Sequence, residues 1–219
     1  MPFSQGITSV EQLRSLYREP FEAVFRKQID HIDDAARSFI ERSPFLVLAT
    51  SGPRGNDASP RGGPPGFVAV IDERRLALGD LSGNNRLDSY ANIVEHPHVG
   101  MLFFIPGMDE TLRVNGRATL TTDPEVLEKS AIDGRVPRIA LGIDVDECFL
   151  HCAKALRRGG LWDPSSWPAR EERPSPGAIF KAHVGIDAPA EAIEADLEEG
   201  YKVSMWYPGG REDLDTATD

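Results

Sequence analysis

The sequence predicts an α+β chain, mainly β with helices, arranged as a barrel or a sandwich. Two observations predict it. Short apolar runs recur at close intervals through the middle of the chain, each bounded by Gly, Pro or Asn clusters. Only two helical stretches interrupt them, too few for a doubly wound parallel sheet.

Taken in order, Ser9 and Gln12 match a capping box that opens a first helical stretch. From 21 to 40, Phe21, Val24, Phe25, Ile29, Ile32, Ala36, Phe39 and Ile40 keep helical spacing, which predicts one long amphipathic helix. Ser43-Pro44 ends it, because a residue before proline avoids the helical region. "FLVLAT" (45–50) then reads as a strand closed by the turn cluster "SGPRG". "ASPRGGPPGF" (58–67) reads as a turn leading into a strand. "FVAVID" (67–72) and "RLALGD" (75–80) form a hairpin. Residues 84–96 read as a helix with Leu87, Tyr90, Ala91 and Val94 on one face, capped by Asn84 or Asn85. "HVGMLFFIPG" (98–107) is a buried strand. In 110–123, Leu112, Val114, Gly116, Ala118 and Leu120 alternate with Arg113, Asn115 and Arg117. Thr122 and Glu125 match a second capping box, and the helix they open stops near Gly134. Residues 138–156 begin as a strand.

This pattern divides the chain into an N-terminal helical segment (1–43), a core (44–162) and a C-terminal extension (163–219) packing on that core. A proline-rich loop over 160–176, carrying Trp162 and Trp167, joins the core to the extension. Its later part, 187–219, holds ten acids against two bases.

The net charge of −11 argues against nonspecific nucleic-acid binding. No apolar run approaches the roughly 20 residues of a membrane span, and the first residues lack the plan of a signal peptide. Two cysteines, Cys148 and Cys152, make neither a zinc framework nor a disulfide scaffold, so a reduced, cytoplasmic protein is expected. There is no Walker A loop, no GxGxxG and no HExxH.

Four polar stretches can carry chemistry. Arg61 sits among prolines and glycines that let a backbone approach a ligand. "GDLSGNNR" (79–86) joins a strand end to a helix start, where unpaired N–H groups favour an anion and Arg86 can close on it. Arg113, Asn115 and Arg117 line the polar side of one strand, an ordinary wet face unless it meets Arg61 and Arg86. His151 and Cys152 are adjacent, so on a strand they point apart and make a poor nucleophile–base pair. His96 and His98 read as surface or packing residues.

The run from "SPRGG" through "GFVAVID", "LALGDLSGNNRLDSYANIVEHPHVGMLFFIPGMDETLRVNGRA" and "FLHCAKALRRGGLW" resembles the pyridoxamine 5′-phosphate oxidase-like flavin-binding proteins. The resemblance spans about Phe39 to Trp162, with weaker likeness through "PSPGAIFKAHVGID". It implies an FMN-binding split β-barrel and a homodimer with the flavin at its interface. It also implies that Arg61, with Asn85 and Arg86, holds the flavin phosphate, joined by Ser82 and Asn84 in the same loop. Gly79 and Asp80 would lie along the flavin, Thr111 and Arg113 near the ring or ribityl chain, and Trp162 would come from the partner subunit. The chain departs from its relatives at Gly63, where they often carry an acid, and around Leu81, where they often carry a proline and an arginine. The substrate-binding arginine and histidine of true pyridoxamine phosphate oxidases have no clear match in the tail, so vitamin B6 oxidation is not expected. The expected function is an FMN-dependent oxidoreductase with Arg113 or Lys154 near the flavin. The alternatives are a flavin carrier or sensor, a barrel holding deazaflavin or haem with His151 or His183 as axial ligand, and a scaffold without cofactor.

Overall fold

The computed structural model describes residues 4–81 and 83–205. Seven strands form one antiparallel sheet: β1 (Phe45–Gly52), β2 (Gly55–Gly62), β3 (Val68–Val70), β4 (Arg75–Gly79), β5 (His98–Phe104), β6 (Thr111–Thr121) and β7 (Ala140–His151). Their order is β2-β1-β5-β6-β7-β4-β3. With its helices this is the expected α+β class, a sheet curled into a split barrel.

The strands follow from alternation. In β1, Leu46 and Leu48 point inward, as do Met101 and Phe103 in β5 and Leu112 and Val114 in β6. Leu141 and Ile143 of β7 and Leu76 of β4 complete the same core. Fully burying side chains of this size stabilises by about 1.5–3 kcal/mol each. Two helices add to that core: α3 (Asp34–Arg42) contributes Phe39 and Ile40, and α4 (Asp88–Glu95) contributes Tyr90 and Ile93.

The structure corrects four local expectations. The helix expected over 21–40 is two pieces, α2 (Glu22–Arg26) and α3. Between them the chain runs beside the sheet: Ile29 exchanges backbone hydrogen bonds with Cys148, and the Ile32 amide donates to the Glu73 carbonyl. Residues 58–62 are not a turn but the second half of β2, paired with β1 from Phe45↔Gly62 to Gly52↔Gly55. Pro60 is tolerated there because β2 is an edge strand, where a missing N–H costs no ladder bond. The helix expected over 84–96 starts only at Asp88. The next helix, α5 (Pro124–Lys129), is capped by Asp123, whose carboxylate accepts from the Glu125 amide, rather than by Thr122.

The capping expected at Ser9 is present: its hydroxyl accepts from the Gln12 amide at 3.0 Å at the start of α1 (Val10–Arg14). Neither α1 nor α2 buries a residue, and Val10, Leu16, Tyr17, Phe21 and Phe25 are all exposed. A short helix, α6 (Lys154–Arg158), follows β7. Beyond it, α7 (Pro176–Val184) and α8 (Ala190–Ser204) pack against each other. Gly177 makes this possible, since a Cβ there would lie 2.2 Å from the Ala190 carbonyl oxygen. The end of the acidic tail, 206–219, lies outside the described residues. Among the described residues no helix is long and apolar enough to cross a membrane.

Candidate functional site

Strand period places Asp57, Ser59 and Arg61 on one face of β2. That face looks onto α4. The Ser59 and Ser89 hydroxyls lie 3.1 Å apart, and Ser89 donates to the Asp57 carboxylate at 2.7 Å. Arg61 donates from Nε to Ser59 at 3.2 Å and from Nη1 to the Tyr90 hydroxyl at 3.4 Å, with its guanidinium over the Tyr90 ring. Tyr90 in turn donates to Asp80, which follows directly on β4. Burial first, then the bond to Asp80 and its charge, push the Tyr90 hydroxyl well above the ordinary phenol range. A relay Arg61–Tyr90–Asp80 therefore ties the edge strand β2 to the chain leaving β4, near the opposite end of the sheet order.

Beside this relay lies a hollow of about 380 Å³, lined by Arg61, Asp80 and the loop Gly83–Leu87. A second hollow of about 360 Å³ continues past Arg61 to Gly62, Phe67, Leu78 and Gly79. The volumes suit a small organic ligand. The Nη2 of Arg61 has no acceptor within reach among the described residues. A wider hollow of about 540 Å³ near Gly100 and Asn115 carries no lysine or arginine.

The loop is not a helix cap. Asn84 Oδ1 accepts from the Arg86 amide at 3.1 Å, a side-chain-closed turn. Asn85 and Leu87 both have positive φ, 56° and 58°, which breaks helical continuity before Asp88. Leu87, not an asparagine, holds the cap position of α4, and it makes no side-chain capping bond. Arg86 Nε pairs with Asp88 Oδ2 at 2.8 Å, and Arg54 approaches the other oxygen at 3.4 Å. The hollow thus mixes Arg61 and Arg86 with Asp57, Asp80 and Asp88. Ser82 lies outside the described residues.

The structure brings Arg61, Asp80, Asn84, Asn85 and Arg86 around one hollow, with Gly79 on its continuation. Thr111, Arg113 and Trp162 line neither. Thr111 is buried opposite His151, and Arg113 lies opposite Phe149 on β7. Arg113 Nη2 is 3.1 Å from His151 Nε2. Trp162 donates its indole N–H to the Met108 carbonyl at 2.8 Å and lines a separate hollow with Arg157 and Asp109. Ser59, Ser89 and Tyr90, which local sequence pattern does not mark as site residues, position Arg61. The signal is the i, i+2 spacing of Asp57, Ser59 and Arg61, which on a strand puts all three on one face.

At Gly63 a Cβ would sit 2.6 Å from that of Phe67, so a larger residue there would force Phe67 to move. Leu81 packs against the core and lines both hollows. Burial pushes the Cys148 thiol up to about 12, which leaves it unreactive. Among the described residues no group of three metal-binding side chains converges.

Comparison with known proteins gives a family. Similar solved structures include a variant of HupZ from Group A Streptococcus, at 15 % identity and a TM-score of 0.46 over 55 % of this chain and 99 % of that one. General Stress Protein 26 from Bacillus anthracis matches at 14 % identity, a TM-score of 0.40, and 52 % and 88 % coverage. A pyridoxamine 5′-phosphate oxidase-related, FMN binding protein from Nostoc punctiforme matches at 19 %, with a TM-score of 0.34 and 50 % and 73 % coverage. No curated protein matches. The model of the family described as pyridoxamine 5′-phosphate oxidase matches residues 32–152, a stretch that runs from before α3 through the end of β7 and includes Arg61, Asp80 and the 83–87 loop. By that match over more than half of its length, the chain belongs to the pyridoxamine 5′-phosphate oxidase family.

Proposed function

We propose that the protein binds FMN and acts as a flavin-dependent oxidoreductase on a substrate other than vitamin B6. The observation that carries this reading is Arg61: a half-buried guanidinium beside a hollow of about 380 Å³ that Asn84–Arg86 also line, with Nη2 unbonded among the described residues. Arginine suits a phosphate because its planar fork can donate two parallel hydrogen bonds. The donor set fits the phosphate end of FMN. Arg61 and the 83–86 loop would hold it, with Arg86 exchanging Asp88 for a phosphate oxygen. Gly79 and Asp80 would lie along the flavin. When bound, FMN supplies the redox chemistry, and the chain supplies position and charge.

Arg113 and Trp162 belong to other, partly exposed parts of the chain, so on this reading they meet a flavin held by a second copy, with the buried Thr111 behind them. The exposed apolar side chains of Val10, Leu16, Tyr17, Phe21 and Phe25 support a homodimer. The unpaired thiols of Cys148 and Cys152 fit a reducing compartment such as the cytoplasm. At His151 the haem alternative is less well supported: its Nε2 faces the Arg113 guanidinium, which sets a cation against any metal there. The test is to load the purified protein with FMN and follow bleaching of the flavin band across a panel of reduced nicotinamides and other donors. Bleaching supports the oxidoreductase. Retained FMN with no bleaching by any donor would favour the non-catalytic carrier.

A further inference from the structure

The face of the sheet opposite the core carries a second cationic group that makes no ion pair among the described residues. On β6 and β7 the register sets Thr111 opposite His151, Arg113 opposite Phe149 and Asn115 opposite Glu147. Phe149 forms a floor. The Arg113 guanidinium lies 5.4 Å from its ring centre, Lys27 Nζ lies 5.3 Å from it, and the His151 ring stacks beside it at 5.9 Å. Lys27 is pinned by donating to the Leu150 carbonyl at 2.7 Å. Arg113 and Lys27 make no salt bridge among the described residues. The carboxylate further along this face, Glu147, is taken up by the side-chain amides of Gln28 and Asn115.

Three nitrogen-bearing groups gather around one aromatic floor in a chain of net charge −11, and among the described residues neither Arg113 nor Lys27 pairs with a carboxylate. Cation–π contact with Phe149 offsets only a small part of their mutual repulsion at an exposed site. His151 registers that repulsion: desolvation, then the Arg113 and Lys27 charges, hold its imidazole below the ordinary range. It is therefore neutral at pH 7, with Nε2 accepting from Arg113.

The geometry points to an anion-binding site at Lys27, Arg113 and His151 that takes the carboxylate or phosphate of a small anionic substrate, with its apolar part against Phe149. The inference deepens the flavin reading by naming a substrate class, and it rests on that reading for the redox step. Anion binding itself does not depend on the flavin.

The experiment is NMR of protein labelled with 13C at the histidine Cε1, the His151 signal being assigned by its loss in His151→Gln. Sodium phosphate and sodium acetate are titrated separately at constant ionic strength set with chloride. The expected result is a saturable shift of the His151 signal and a rise in its apparent pKa, because a bound anion offsets Arg113 and Lys27. Phosphate alone acting identifies a phosphorylated substrate, and acetate acting equally identifies a carboxylate. Lys27→Gln is expected to weaken the response by about tenfold, the loss of one charge-assisted hydrogen bond. Arg61→Ala is expected to leave it unchanged. A His151 response no larger than that to chloride overturns the inference, and so does one that disappears in Arg61→Ala. A protein that retains FMN but shows no His151 response loses this site alone. A protein that shows the response but takes no FMN loses the flavin reading alone.

Discussion

The guanidinium carbon of Arg61 lies 5.2 Å from the centre of the Tyr90 ring. One residue comes from an edge strand and the other from a helix, and the same tyrosine hydroxyl serves both Arg61 and Asp80. The arginine is thus held in place before any ligand arrives. Preorganisation of this kind lowers the ordering cost of binding.

Tyr90→Phe keeps the ring and removes the hydroxyl. Asp80 loses a donor and Arg61 an acceptor in a half-buried site. Stability should fall by about 1–3 kcal/mol, the cost of leaving a buried polar group unsatisfied. Urea unfolding followed by circular dichroism measures it. FMN affinity should fall as well, because Arg61 is freed to adopt other rotamers. An unchanged midpoint would show that the relay contributes nothing.

Gly116→Ala tests the bulge between Asn115 and Gly116 that shifts the register of β6 on β7. A Cβ there would lie 2.1 Å from the Asp144 carbonyl oxygen, a backbone atom that cannot swing aside. The expected loss is about 1–3 kcal/mol, as for other overpacked sites, read as a lower melting temperature by calorimetry. Gly142→Ala on the neighbouring strand is the control. A Cβ there meets nothing closer than 3.8 Å, so it should cost much less.

These two positions show what the amino-acid order makes legible. Core strands declare themselves because Leu112, Val114 and Ala118 alternate with polar residues, and the family resemblance rests on the segment they belong to. Strand β2 hides because its residues, "GNDASPRG", are turn formers, and only its place at the sheet edge lets them extend. The spacing over 21–40 looks continuous because Ile29 and Ile32 satisfy a helical period. Both are held instead by the sheet, through Cys148 and Glu73. Asn84 looks like a cap because its type is right, yet its carbonyl closes a turn three residues early. The partners that fix Arg61 come from α4, and no local pattern around residue 61 reports a helix that follows so much later.

His151 gives the pH dependence its sign. Its folded pKa is lowered, by desolvation first and then by Arg113 and Lys27. The unfolded chain therefore binds this proton more readily than the folded one. The stability associated with neutral His151 is present above about pH 6.5, the ordinary histidine value, and is lost as pH falls through the lowered folded value. Urea midpoints at pH 7 and pH 5 should differ less in Lys27→Gln and least in His151→Gln. A wild-type protein whose His151 contribution grows on acidification would contradict this.

The most direct measurement is an equilibrium titration of FMN, read by quenching of flavin fluorescence, with the wild-type protein and Arg61→Ala compared under one buffer. Saturable binding of one FMN per chain, weakened about tenfold or more in Arg61→Ala as for loss of a charge-assisted contact, is the predicted result. Unquenched flavin with the wild-type protein, or equal affinity in both, would contradict it. The Gly83–Arg86 loop would then be a closed turn and nothing more.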